Sequence, residues 1–153
     1  MNKKKLCRCL LAAISFLLVL VFSMMIKQAG DARQARLAIG VLKNVVTDYY
    51  KTKSAYPKGL NDLPSFYAAS VYQKFYLDSH KFAGGQWHGY QYDLQSPGDG
   101  QFVISASPVN LWPRAAEFGI TQEGILKVNT RHVDKQTDSY EEVTRWQAFG
   151  PVK

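Results

Sequence analysis

Two helical patterns of different kinds occupy the first third of the chain. Residues 10–26 contain no charge, and only Ser15 and Ser23 carry a polar side chain. As a helix, residues 6–26 rise roughly 31 Å, close to the thickness of the hydrocarbon core of a bilayer. This pattern predicts a membrane anchor. Its apolar members are Leu10, Leu11, Ile14, Phe16, Leu17, Leu18, Val19, Leu20, Val21, Phe22 and Ile26.

A second, amphipathic helix is predicted over residues 31–53. Its apolar side chains recur at alternating steps of three and four, which places them on one helix face. They are Ala35, Ala38, Leu42, Val45 and Tyr49. No proline precedes Pro57, so the anchor and this helix are expected to form one rod of about 45 residues. The Tyr56-Pro57 pair ends it, because the residue before a proline disfavours the helical conformation.

The second half of the chain carries strand patterns. Residues 88–94 and 101–107 alternate or form short apolar runs, with a dense turn signal at 96–100 between them. Two further strands are expected at 117–121 and 125–130. The fold class is therefore predicted to be α+β, with Leu42, Val45 and Tyr49 packing on a roughly four-stranded antiparallel sheet. Residues 66–77 indicate a short helix or an irregular segment, and the tail from His132 either docks or stays loose.

The distribution of charge predicts the topology. Lys3, Lys4, Lys5 and Arg8 precede the apolar run and supply four positive charges of a chain whose net charge is +7. Basic residues before an apolar helix keep the N-terminus in the cytoplasm. Residues 1–27 are thus expected to be a cytoplasmic tip with an anchor, and residues 28–153 an exported domain. The remaining basic residues form no dense stripe, so no nucleic-acid partner is expected.

An alternative for the N-terminal segment is a cleaved signal peptide. Val21-Phe22-Ser23 fits a weak cleavage site, whereas the apolar run continues through Met24 and Met25, which favours an uncleaved anchor. The two cysteines, Cys7 and Cys9, lie at the start of this run as small apolar residues or, in a eukaryotic host, as palmitoylation sites. Hence the exported domain has no disulfide and no thiolate metal site.

Two segments carry a family resemblance. The first is the helix that runs into Tyr56-Pro57 and is followed by Gly59-Leu60 and Leu63. The second runs from Gly89-Tyr90-Gln91-Tyr92-Asp93 through Gly98-Asp99-Gly100 to residues 102–108. In this order, behind an apolar helix, they resemble the type IV pilins and the pseudopilins of type II secretion. The resemblance covers residues 3 to about 131 and implies a pilin-like fold.

The chain departs from these families at its N-terminus. Arg8-Cys9-Leu10-Leu11 stands where prepilins carry a cleavage site before a Phe-Thr-Leu-x-Glu run, and no glutamate occurs before Glu117. The resemblance therefore implies an anchored, non-polymerising component of a type II secretion or type IV pilus-like system. Its expected place is the inner membrane, with the domain periplasmic or extracellular. Its expected partners are the bilayer and other subunits, with Ala12, Ala13 and Ser15 allowing close helix approach.

Catalytic and metal-binding patterns are sparse. His80, His88 and His132 lack metal-binding spacing, and the chain has no nucleophile elbow, Walker loop or dinucleotide fingerprint. No enzymatic activity and no cofactor are expected. Asp93 and Asp99, on either side of a turn, are weak calcium candidates, and they are equally ordinary turn residues.

The aromatic residues allow two interpretations. Rings near the helix end and in the following segment can pack over the sheet, or they can form a binding surface. They are Tyr49, Tyr50, Tyr56, Tyr67, Tyr72, Phe75 and Tyr76. Trp87 and Trp112 lie beside turns and are candidates for a protein-partner surface. The alternative function is accordingly a tethered periplasmic module that binds a ligand or protein through an aromatic loop surface.

Overall fold

A computed structural model describes residues 3–63, 85–98, 100–109, 115–130 and 139–151. In residues 3–9 and 150–151 it describes the backbone alone. The short helix considered for residues 66–77 lies outside these ranges, so that prediction stays a prediction.

One helix dominates the architecture. Helix α1 runs from Lys3–Lys53 as 51 residues without a break, which confirms the expected single rod. Gly30 lies inside it, since one glycine costs a helix only about 1 kcal/mol. The helix ends where Ser54 adopts a positive φ of 55° and its N–H donates to the Tyr50 carbonyl at 2.8 Å. A short 3-10 turn, Leu60–Asp62, follows Pro57.

The strands form one antiparallel sheet in which each strand pairs with the next along the chain. They are β1 (Gln86–Trp87), β2 (Tyr90–Gly98), β3 (Gln101–Pro108), β4 (Glu117–Thr121), β5 (Ile125–Asn129) and β6 (Gln147–Pro151). The α+β class is confirmed, whereas the described sheet has six strands where four were expected. The two additional strands, β1 and β6, lie at the edges: β1 is too short to show a period, and β6 ends in Gly150-Pro151.

Helix α1 covers one face of the sheet. Its buried face consists of Ala35, Ala38, Ile39, Leu42, Val45 and Val46. The strand register aligns two rows of apolar residues beneath it. Tyr92, Ala106, Phe118 and the half-buried Val128 form one row, and Leu94, Ile104, Ile120 and Leu126 form the next. Each fully buried aliphatic side chain contributes about 1.5–3 kcal/mol to folding, so this contact holds the helix and the sheet together.

A short helix covers the opposite face. Helix α2 (Tyr140–Thr144) is capped by Ser139, whose hydroxyl accepts from the Glu142 N–H at 3.3 Å. The buried side chain of Val143 lies directly on Gly119, where a Cβ atom would be 2.5 Å from Val143 Cγ1. The absence of a side chain at position 119 therefore allows this close approach. The tail from His132, left open by the sequence, contributes both α2 and β6.

The contact between Gly119 and Val143 gives a packing prediction. Replacing Gly119 with alanine forces Val143 to move and should lower the free energy of unfolding by about 1–3 kcal/mol, the usual cost of overpacking. Combining Gly119→Ala with Val143→Ala should cost less than the sum of the two single changes. Denaturant unfolding of the full chain in detergent micelles measures all three values.

Gly30→Ala provides the matched control, because no atom lies within 4 Å of a Cβ at Gly30. This control should be neutral or more stable by about 1 kcal/mol, as alanine favours the helix. Equal stability of the Gly119→Ala variant and the wild-type chain would contradict the assigned contact.

Candidate functional site

The N-terminal part of α1, residues 10–26, exposes apolar side chains on all sides. Over the predicted anchor the large apolar residues are exposed, from 41% at Leu20 to 67% at Phe16, while Val21 is half-buried. Such a surface is unfavourable in water and requires lipid or protein around it. Within the described residues, α1 is the one helix long and apolar enough to cross a membrane. Ser23 suits this setting, because its hydroxyl donates to the Val19 carbonyl at 2.8 Å.

The polar ends of this apolar segment differ. Lys3, Lys4, Lys5 and Arg8 lie on the first turns of α1, and their side chains lie outside the described part. At the other end, the exposed side chain of Lys27 follows Ile26 directly. The apolar segment thus has basic residues before it and a lysine immediately after it.

Just beyond Lys27, α1 meets the turn between β1 and β2. Asp31 Oδ1 lies 3.8 Å from Nδ1 of His88, and a Cβ at Gly89 would lie 3.4 Å from Asp31 Oδ2. His88 and Gly89 both have positive φ, 46° and 72°, so the chain reverses tightly against the helix. Asp31 follows Ile26 by five residues, or about 7–8 Å along the helix axis. We call Asp31, His88, Gly89 and Tyr90 the helix–sheet junction.

Tyr90 connects the junction to the core. Its hydroxyl donates to the Ala116 carbonyl at 3.0 Å, and the side chain is buried. Burial, followed by the negative charge of Asp31, raises the pKa of Tyr90 to about 12, against a smaller opposing effect of Arg36. Burial likewise raises the pKa of Tyr92. Both phenols are therefore neutral wherever the protein is folded under ordinary conditions.

Arg36 lies one turn beyond the junction and contacts two rings. Its guanidinium carbon lies 5.8 Å from the ring centroid of Phe118 and 5.0 Å from that of Phe149. Its Nε is buried and makes no hydrogen bond within the described residues. The faces of the two rings therefore stabilise this cation. Arg36 is not among the apolar residues of the predicted helix face, and nothing in the sequence indicated that β6 would bring Phe149 against it.

The remaining predicted site residues do not form one site. The indole of Trp87 is half-buried against the core and contacts the His88 ring, with centroids 4.3 Å apart, while Trp112 lies outside the described ranges. The Asp93 carboxylate accepts from Gln95 Nε2 at 2.7 Å, and Asp99 is not described. Among the residues that are described, no group of three or more side chains is placed to hold a metal ion.

Part of the aromatic set packs on the sheet. Tyr50 stacks on Tyr56 with centroids 4.4 Å apart, and Tyr56 contacts Phe102 at 5.0 Å. Tyr49 is half-buried against the core, in which Leu42 and Val45 are fully buried. These three rings at the helix end therefore pack against the domain, Tyr49 and Tyr56 half-buried and Tyr50 still exposed. Tyr67, Tyr72, Phe75 and Tyr76 fall outside the described residues.

Comparisons with protein-family models, curated proteins and solved structures find no match to this chain.

The raised pKa of Tyr90 predicts a loss of stability in alkali. A phenol with a pKa near 10 in the unfolded chain and about 12 in the folded one contributes stability that is complete below pH 10. That contribution is lost as the pH rises from about 10 to 12 and the unfolded state releases its proton first. The free energy of unfolding should therefore fall over this interval.

Tyr90→Phe removes the ionisable group and should flatten this alkaline decline, although Tyr92 keeps part of it. Denaturant unfolding of both proteins in micelles, at a series of pH values, measures the difference. The difference between their free energies of unfolding at neutral pH reports the lost hydrogen bond to Ala116. This difference serves as the baseline. Parallel decline of the two proteins above pH 10 would show that Tyr90 does not cause it.

Proposed function

We propose that this protein is a non-enzymatic, single-pass membrane component of a type II secretion or type IV pilus-like system. In this proposal the apolar part of α1 crosses the inner membrane. The α+β domain is pilin-like and projects into the periplasm or beyond. The observation that carries the proposal is the continuity of α1, whose exposed apolar part passes without a break into the helix of the domain core.

The arrangement suits a mechanical role. Neither part of α1 can shift along its axis without moving the other, because the backbone hydrogen bonds are continuous. The buried face that includes Ile39 and Leu42 transmits such a movement to the sheet. A tethered domain of this kind holds partner proteins at a fixed height above the membrane, which requires neither a nucleophile nor a cofactor.

The charge pattern supports the proposed orientation. Lys3, Lys4, Lys5 and Arg8 precede the anchor, which favours a cytoplasmic N-terminus. The apolar run continues through Met24, Met25 and Ile26, beyond the weak cleavage site at Val21-Phe22-Ser23, which supports an uncleaved anchor. The whole of α1 therefore stays part of the proposed working protein.

The resemblance to pilins and pseudopilins supports the choice of system, and the missing glutamate limits the role. An acidic residue in the apolar helix marks pilins that pair with a neighbouring subunit inside the membrane. Here the first glutamate is Glu117, at the start of β4. We therefore propose a stationary component that contacts other subunits laterally, through the side of α1. Leu37, exposed on the outer side of α1, belongs to that contact surface.

A photo-crosslinking experiment tests this role in the native envelope. A photoreactive residue at Leu37 should form adducts with secretion or pilus subunits, identified by mass, because this apolar side chain is 57% exposed on the part of α1 that belongs to the domain. Lys51, exposed at the far end of α1, provides the matched position and should give fewer such adducts.

The same experiment separates the proposal from its alternative. A tethered binding module would give no adduct with machine subunits at Leu37, and a ligand would raise its melting temperature. Obtaining that pair of results would contradict the proposed role.

A further inference from the structure

We propose that the domain has a built-in contact surface for phospholipid headgroups of the same membrane that holds its anchor. This membrane-facing surface consists of Lys27, Trp87, His88, Gly89 and Val109. The inference rests on the proposed anchor and identifies a second lipid contact, made by the folded domain itself. It follows from the distance of these residues from the end of the anchor, from the rigidity of the turn that holds them, and from their chemistry.

The distance between the β1–β2 turn and the hydrocarbon boundary follows from the geometry of α1. Asp31 lies about 7–8 Å beyond Ile26 along α1, and the headgroup layer of one leaflet is about 5–8 Å thick. His88 Nδ1 lies 3.8 Å from Asp31 Oδ1, and a Cβ at Gly89 would lie 3.4 Å from the other oxygen of the same carboxylate. The β1–β2 turn is therefore positioned at the outer boundary of the headgroups. A helix tilt of about 20°, common in membranes, brings one side of the domain closer still.

The turn is fixed at this height. Gly89 accepts from the Val109 N–H at 2.9 Å, which ties the turn to the end of β3. Tyr92 donates its N–H to the Gly85 carbonyl at 2.6 Å, which closes β1 on β2. Between Ile26 and Asp31 the helix has no break. The surface cannot leave the membrane unless α1 bends or the domain detaches from it.

The chemistry of the surface suits the boundary between headgroups and water. Lys27 precedes Asp31 by four residues, so both lie on the same helix face. Lys27 is exposed, and as the residue directly after Ile26 it places a cation at the level of the phosphate layer. Trp87 belongs to the residue type enriched at membrane interfaces, and the adjacent side chains of His88 and Val109 are exposed.

The space beneath the turn favours lipid over a protein partner. A helix is about 10–12 Å in diameter with its side chains. That exceeds the estimated height of the junction above the hydrocarbon boundary, about 7–8 Å at 1.5 Å per residue. A partner element could not be inserted there without lifting the domain. Headgroups already fill this layer around any membrane helix.

Fluorescence quenching of the full chain in vesicles tests the proposal. One variant keeps Trp87 alone, through Trp112→Phe and Trp146→Phe, and a matched variant keeps Trp146 alone, through Trp87→Phe and Trp112→Phe. Trp146 packs near Gly119 on the face of the sheet opposite α1. Vesicles of phosphatidylcholine and phosphatidylglycerol carry a spin label either on the headgroup or deep in the acyl chain.

The headgroup label should quench Trp87 at least about twofold more than Trp146, while the deep label quenches neither strongly, because the domain lies at the surface. Lys27→Glu should reduce the quenching of Trp87 in these anionic vesicles. Lys51→Glu, at the distal end of α1, should leave it unchanged.

The outcomes separate this inference from the proposed anchor. Release of the wild-type chain from vesicles by alkaline carbonate would refute the anchor and, with it, the proposed function. A chain that resists extraction but shows equal quenching of Trp87 and Trp146 would overturn the headgroup contact alone. Burial of Trp87 by a protein in native envelopes, without quenching in pure lipid vesicles, would overturn it as well.

Discussion

Helix α1 carries two different patterns of apolar side chains along one unbroken backbone, and the rest of the structure depends on this continuity. Around Phe16 and Leu17 it is apolar and exposed on every side, as lipid requires. Around Ile39 and Leu42 it is apolar on one face alone, as a protein core requires. The change occurs near Lys27 and Asp31 without a proline or a loop. Because the backbone stays helical across this boundary, the sheet is held at a set distance from the anchor.

At the helix–sheet junction, the continuous helix α1 is joined to the sheet by specific contacts. The left-handed turn at His88 and Gly89 reverses the chain beside Asp31, and the positive φ of Gly89 is a conformation that residues with a side chain rarely adopt. Tyr90 carries the contact into the core through its bond to the Ala116 carbonyl. Arg36, held between two rings, links the same part of the helix to β6. The proposed functions use this rigidity: the domain serves as a fixed platform, and its lower surface lies on the headgroups.

Sequence periodicity predicted the elements whose burial repeats regularly. The helix, its end before Pro57 and the four central strands all carry local signals in apolar spacing or turn residues. The edge strands carry none: β1 spans two residues, and β6 gains its place through pairing with β5. The junction was also not predictable, because Asp31 and His88 are brought together by the register of the sheet. Likewise, the sequence does not distinguish Gly119 from other strand glycines, because only the structure shows Val143 packed on it.

The most direct test of the account is a distance measured along α1 across its proposed membrane boundary. Spin labels at Leu20 and Asn44, both exposed, are separated by 24 residues of one helix. In lipid bilayers, pulsed electron paramagnetic resonance should give a single narrow distribution centred at about 36 Å, from a rise of about 1.5 Å per residue. A broad distribution, or one centred well below that distance, would mean that the helix bends or breaks between anchor and domain, and the account would be wrong.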